Sequence, residues 1–232
     1  MSNAPGRRPI RSFVLRGGRM TDGQRRAFDR DWGRWGLDYS PQPLNLDDLF
    51  GPDSPRVLEI GFGMGQSLVE MAAADPQAYY IGIEVHRPGV GSLLHLVSEQ
   101  GLTNLRVFCH DAVDILRDCI PASALDKVQI FFPDPWHKKR HHKRRLIQRD
   151  FVDLVVTRLR AGGTLHLATD WEPYARQMLE ILSANPLLQN TSDDGTYVPR
   201  PESRPLTRFE QRGTRLGHGV RDLLFTRETA AD

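Results

Sequence analysis

The residues with the clearest chemical potential form one stretch. Phe132-Pro133-Asp134-Pro135-Trp136 is followed at once by His137-Lys138-Lys139-Arg140-His141-His142-Lys143-Arg144-Arg145. The flanking prolines restrict the backbone and can hold the Asp134 carboxylate toward a cleft, while a plain Asp-Pro turn is the alternative. The unbroken basic run exceeds what a solvated helix face needs, and predicts a phosphate-binding surface, hence RNA, where the carboxylate stands. His137, His141 and His142 have no carboxylate or cysteine beside them at ligand spacing, so no metal site is expected. Trp136 and Trp171 read either as stacking platforms for a base or as core aromatics.

A second group is built around glycine. Val57-Leu58-Glu59-Ile60 runs into Gly61-Phe62-Gly63-Met64-Gly65, a strand-to-helix turn whose alternating glycines let the backbone approach a ligand. Gln66 stands where a dinucleotide fingerprint wants its third glycine, and the GxGxG spacing resembles class I methyltransferases instead. Glu84, about twenty residues farther on, suits ribose hydroxyls, and Asp111 suits the exocyclic amine of an adenine. Each acid alone also reads as a helix start or a solvated loop. Glu59, Glu84 and Asp111 at successive strand ends together indicate a nucleoside ligand. Asp170 ends a later strand as either a base-recognising acceptor or a helix cap, and spacing leaves both open. Thr207-Arg208-Phe209-Glu210 lies in a long late loop.

These residues require a scaffold of alternating strands and helices. Arg56 to Ile60, Tyr79 to Glu84, Leu105 to Cys109, Val128 to Phe132 and Thr164 to Ala168 read as short buried strands. Helices are expected from about Gln66, Gly89, Ala112, Arg145 and Glu172, and Val220 to Thr226 resumes a strand. The expectation is an α/β, doubly wound, Rossmann-like sheet, mostly parallel with an antiparallel C-terminal strand. With 232 residues and 39% hydrophobic content, one domain over residues 21–227 is expected, including an N-terminal extension and a substrate loop at 190–218. Residues 1–20 read as a partly disordered basic arm and 228–232 as a disordered tail. The net charge is only +2, but Arg7, Arg8, Arg11, Arg16, Arg19, Arg25, Arg26 and Arg30 face just Asp22 and Asp29 at the N-terminus. Cys109 and Cys119 lie among apolar neighbours and read as reduced structural thiols. No segment has the length and apolarity of a membrane span or signal peptide, so a cytoplasmic location is expected.

Several segments resemble one family. EIGFGMG at Glu59 to Gly65, GIEVHRPGVG at Gly82 to Gly91, FPDPWHKKRHHKRRL at Phe132 to Leu146, ATDWEPYA at Ala168 to Ala175 and RPLTRFEQRGTRLGH at Arg204 to His218 look like the bacterial tRNA (guanine-N7-)-methyltransferases. The resemblance implies S-adenosylmethionine as cofactor, bound by Glu59, Gly61, Gly63, Gly65, Glu84, Asp111 and Asp134, with Asp134 also catalytic. It implies that Lys138, Asp170, Thr207, Arg208, Phe209 and Glu210 engage the substrate. It further implies that Arg140, His141, His142, Lys143, Arg144 and Arg145 contact RNA, and that the target is guanine 46 in the variable loop of tRNA. A monomer without an obligate protein partner is expected. Three competing readings are a methyltransferase acting on a small molecule, protein or rRNA, a non-catalytic RNA-binding module, and a nicotinamide dehydrogenase. Gln66 and the PDPW segment disfavour the last.

Overall fold

Six of the strands in the computed structural model, which describes residues 12–13, 18–52, 54–206, 210 and 219–229, grow from the short apolar runs. They are β2 (Arg56–Ile60), β3 (Tyr79–Ile83), β4 (Leu105–Phe108), β5 (Leu125–Phe131), β6 (Leu159–Thr169) and β8 (Arg221–Arg227), joined by β1 (Gly36–Leu37) and β7 (Leu188–Asn190). The spatial order is β1-β4-β3-β2-β5-β6-β8-β7. Pairing is parallel from β1 through β6, while β8 runs antiparallel between β6 and β7. This is the doubly wound Rossmann-like α/β sheet, with an antiparallel C-terminal edge.

Alternation along the strands divides the core between two faces. Leu58, Ile60, Val128, Ile130, Leu165 and Leu167 face α6 (Arg149–Arg158) and α7 (Glu172–Ser183), where Phe151, Val155, Tyr174 and Met178 are buried. Val57, Tyr80, Val107 and Phe131 face α3 (Gln66–Ala74) and α4 (Arg87–Gln100), meeting Leu68, Met71, Leu93 and Leu94. Each such leucine contributes about 1.5–3 kcal/mol by leaving water. The remaining helices are α1 (Asp22–Trp35), α2 (Leu46–Phe50) and α5 (Ala112–Asp114), the last passing into a π turn at Ile115–Cys119.

Several elements differ from the sequence reading, to which β1, α2 and β7 are additions. α1 lies in the N-terminal extension of the domain, where no helix was expected. It starts on a capping box in which Thr21 and Gln24 bond reciprocally, and it buries Ala27 and Trp35. α6 begins at Arg149 rather than near Arg145, because Lys139–Arg144 forms a 3-10 turn and Arg145 is extended. β6 starts at Leu159 instead of Thr164. Phe132 falls outside β5, with φ of 51°. Among the described residues no helix is long and apolar enough to cross a membrane.

Candidate active site and nucleic-acid interface

The chain winds outward from β2 through β3 to β4, then crosses back to β5, so β2 and β5 are neighbours at the point where strand order reverses. Ligands of open α/β sheets bind in the crevice beyond the carboxyl ends of such strands. β2 ends there in the glycine turn, where Gly61, Gly63 and Gly65 all take positive φ. Gly65 has φ of +83°, and a Cβ on it would stand 2.5 Å from Leu93. A Cβ on Gly89, in the first turn of α4, would stand 2.1 Å from the carbonyl oxygen of Gly63. The turn and α4 therefore touch backbone to backbone.

Two cavities flank this turn and share Gly61 and Phe131. The first, about 360 Å³, is lined by Glu84, Val85, His110, Asp111 and Asp134. Glu84 Oε2 accepts from the Gly63 amide at 3.0 Å, and its Oε1 accepts from Val85 and His86 at 2.7 and 3.0 Å. Asp111 Oδ1 accepts from the Val113 amide at 3.0 Å as the N-cap of α5, so a helix-capping role is present along with the position in the cavity. His110 is stacked flat on Tyr39 at 4.3 Å and forms one wall. Ser12 and Phe13 line the same cavity.

The second cavity, about 730 Å³, is lined by Glu59, the amino end of α3 at Gln66 and Ser67, Phe131, Phe132 and Leu206. Glu59 is 3% exposed and its Oε2 has no hydrogen-bond partner. Burial first, and then the charge of Glu84, pushes its carboxyl up to about 8. An unpartnered buried carboxylate is complemented by a cation, and an α-helix amino end by an anion. The crevice thus fits a ligand with a nucleoside at one end and a zwitterionic amino acid at the other.

The reaction edge begins where β5 stops. Phe132 donates its amide to Ala168 at 2.8 Å, and the chain then turns through Pro133 so that Asp134 is exposed on the cavity wall. Its Oδ1 accepts from the Trp136 amide at 3.0 Å, and Trp136 itself has φ of 45°. The Trp136 ring has Arg144 over it at 5.1 Å and the His141 edge at 5.8 Å, and its Nε1 donates to the Ser12 carbonyl at 3.1 Å. Trp136 therefore pins the N-terminal segment and the basic turn together. Trp171 is half-buried against the core, with His137 edge-on at 4.3 Å. For both tryptophans the structure shows protein packing.

Lys138, Lys139, Arg140 and Lys143 are exposed, and His141, His142 and Arg144 half-buried. Desolvation, followed by the charges of Arg140, Arg144, Lys138 and Lys143, holds the His141 imidazole below its ordinary value. Arg145 points inward, a correction to its grouping with the RNA-facing cations. It is 3% exposed, donates to the Pro135 carbonyl at 2.8 Å and to Gln177, and lies 3.1 Å from His142 Nε2. It braces the reaction edge against α7.

Asp170 is half-buried at the end of β6; α7 is capped by Trp171 without a side-chain bond, so Asp170 does not serve as that helix's N-cap. Thr207, Arg208 and Phe209 lie outside the described residues. Glu210 is buried, and both its oxygens accept from Arg204, at 2.6 and 2.8 Å. Arg204, fully buried, also forks onto Asp222 at 2.7 and 3.0 Å, and Asp222 meets His166 Nε2 at 2.7 Å. Burial alone would raise Asp222, but the bonds from His166 and Arg204 hold it below the usual carboxylate value. Sequence reasoning missed this cluster, because its members come from three distant segments. The alternation of β6 and β8 carries a signal, His166 standing opposite Leu224 and Asp222 opposite Ala168 on one face of the sheet.

Residues 53–223 match the family described as "Putative methyltransferase". A tRNA (guanine-N(7)-)-methyltransferase of Shewanella amazonensis is 60% identical over 220 residues, covering 95% of this chain and 92% of that protein. A protein of the same name from Pseudomonas aeruginosa is 55% identical, covering 95% and 90%. Among solved structures, the 16S rRNA methyltransferase KamB superposes with a TM-score of 0.57 at 15% identity, over 83% of this chain and 96% of that one. The aminoglycoside resistance methyltransferase NpmB1 gives 0.54 at 17%, over 82% and 95%. At such identities the two structures speak for the fold.

Proposed function

Because the chain belongs to the family of bacterial tRNA (guanine-N7-)-methyltransferases, we propose that it methylates N7 of guanine 46 in the variable loop of tRNA, using S-adenosylmethionine. The observation that carries this reading is spatial. The exposed cations of the Lys139–Arg144 turn start at the same strand edge as Asp134 and the two cavities.

Bound S-adenosylmethionine supplies an electrophilic methyl group on a sulfonium. Glu84, with lone pairs beyond those used by its three amide donors, would accept from the ribose hydroxyls, and Asp111 would accept from the adenine amine. Glu59 would pair with the ammonium, and the amino end of α3 would receive the carboxylate. Gly61, Gly63 and Gly65 permit the positive-φ turn that brings the Gly63 amide onto Glu84.

Guanine N7 has an in-plane lone pair and no proton to lose, so the reaction needs alignment rather than a general base. Asp134 holds the base in line and stabilises the positive charge that develops on the purine. Lys138, Asp170 and the Thr207, Arg208, Phe209 and Glu210 segment recognise the guanine. Arg140, Lys143, Arg144 and the imidazoles of His141 and His142 meet RNA phosphates.

The test is incubation of purified protein with unmodified tRNA and labelled cofactor, then borohydride and aniline cleavage at N7-methylguanosine. Cleavage at guanine 46 is expected. Cleavage at another guanine refutes the position, and cleavage at none refutes the reaction.

A further inference from the structure

His110 forms one wall of the first cavity, and the group that backs it comes from outside the strands that carry the cofactor acids. β1 pairs parallel with β4 in the register Gly36↔Val107 and Leu37↔Phe108, and two further steps along both segments bring Tyr39 beside His110. Their rings stack at 4.3 Å between centroids, with 4° between the planes. A short piece of the N-terminal extension thus supports a residue of the cavity.

A closed circuit of contacts braces the stack. The Tyr39 hydroxyl donates to Asp118 Oδ2 at 2.9 Å, and Arg117 donates to both Asp118 oxygens, at 2.9 and 2.7 Å, and to Asp114 at 2.9 Å. Asp114 lies 3.3 Å from His110 Nε2, which completes the circuit. The backbone around Tyr39 is tied as well. The Ser40 carbonyl accepts from Cys119 Sγ at 3.1 Å, in the same π turn as Asp118, and Asp38 accepts from Trp32 Nε1 at 3.1 Å. Stability is a weak reason for this arrangement, because Tyr39 is 38% exposed and exposed ion pairs return little. What the circuit fixes is the plane of one imidazole.

Asp111, the residue after His110, lines the same cavity and is the acceptor assigned above to the adenine amine. A purine bonded to that carboxylate lies within reach of the neighbouring ring. The imidazole is half-buried, covered on one face by Tyr39 and contributing surface to the cavity. We propose that His110 is the platform on which the adenine of the cofactor stacks, and that Tyr39 is the positioning residue that holds the plane of that platform. This rests on the cofactor reading proposed above. Asp111 then recognises the edge of the base while His110 sets its plane, and removal of a base-stacking ring costs about 5- to 150-fold in affinity.

The experiment compares wild type, Tyr39→Ala, Tyr39→Leu, Tyr39→Phe, His110→Ala and the Tyr39→Ala/His110→Ala double variant as full-length proteins. Calorimetry gives the Kd of S-adenosylmethionine and of adenosine, methyl transfer to unmodified tRNA gives cofactor KM and kcat, and thermal unfolding reports the fold. His110→Ala should weaken both ligands by about tenfold, and Tyr39→Ala by about fivefold. Tyr39→Phe keeps the ring and loses only the bond to Asp118, so its Kd values should stay within about twofold of wild type. In turnover the loss should fall on the cofactor KM, with kcat at saturating cofactor within about twofold, whereas a merely structural defect lowers the active fraction and with it kcat. The double variant should bind no more weakly than His110→Ala, since Tyr39 acts through that ring. Wild-type Kd values in a folded Tyr39→Ala or His110→Ala protein overturn the proposal, as do losses that multiply in the double variant or a defect confined to kcat. If either alanine variant fails to fold, Tyr39→Leu decides, because it keeps apolar bulk without a flat ring: about fivefold weaker binding supports the platform and wild-type Kd values overturn it. A wild-type protein that binds neither ligand refutes the cofactor reading as well, so the two failures are distinguishable.

Discussion

Titration of S-adenosylmethionine into the protein between about pH 6 and pH 8 tests the role given to Glu59. An ordinary glutamate, at 4.5, is ionised throughout that window, whereas Glu59 is pushed up to about 8 by burial and, second, by Glu84. A neutral buried acid must release its proton before it can pair with an ammonium. The apparent Kd should therefore fall about tenfold for each pH unit below about 8, or about 50-fold across the window. The gain ends near pH 8, where an α-amino group itself begins to deprotonate. Calorimetry in two buffers of different ionisation heat should count about one proton released per cofactor at pH 7. A Kd that is flat with pH, or a Glu59→Gln variant that keeps the slope, refutes the pairing. Stability of the cofactor-free protein gives the same test from the other side. The folded pKa lies above the unfolded one, so the Glu59 contribution is complete below about 4.5 and is lost as pH rises through about 8. The gap corresponds to about 5 kcal/mol, and Glu59→Gln should remove that component of the pH dependence.

Asp134→Asn should leave the unfolding temperature unchanged and lower kcat by at least about 100-fold, read in the labelled-cofactor assay. Arg140→Ala should weaken tRNA binding and reduce the salt slope of log K by about 1, with no loss of stability. Arg145→Ala should behave oppositely, costing about 2–4 kcal/mol in denaturant unfolding because the Pro135 carbonyl, Gln177 and His142 lose their shared donor. Gly89→Ala should weaken cofactor affinity about tenfold in calorimetry, since its Cβ would drive the Gly63 carbonyl out of place.

The placing of the glycine turn and the strand-end acids at one edge of the sheet was legible in the sequence for a local reason. Glu59, Gly61, Gly63 and Gly65 lie on one strand-turn unit, and Glu84 and Asp111 follow the next two strands, so strand ends read from apolar runs place them directly. The boundaries failed where backbone conformation departs from type. Phe132 at positive φ ends β5 early, and Arg145 leaves the helical pattern because its guanidinium is drawn inward. α1 was hidden because arginines and aspartates surround its few buried residues, although the Thr21 and Gln24 spacing of a capping box was readable. The Arg204 cluster was invisible for a different reason. His166 and Asp222 meet through the β6–β8 pairing, and Arg204 and Glu210 join them from the stretch between those strands, which local period does not encode.

The placement of Asp222 also orders events during synthesis. β8 follows every other strand of the sheet along the chain, so the glycine turn, the cavity acids and the cationic turn all leave the ribosome before the anchor of Arg204 exists. A chain at that stage holds the Arg204 guanidinium without the Asp222 carboxylate onto which it forks in the folded protein. The fork onto the sheet is thus completed by the one antiparallel strand that lies between β6 and β7.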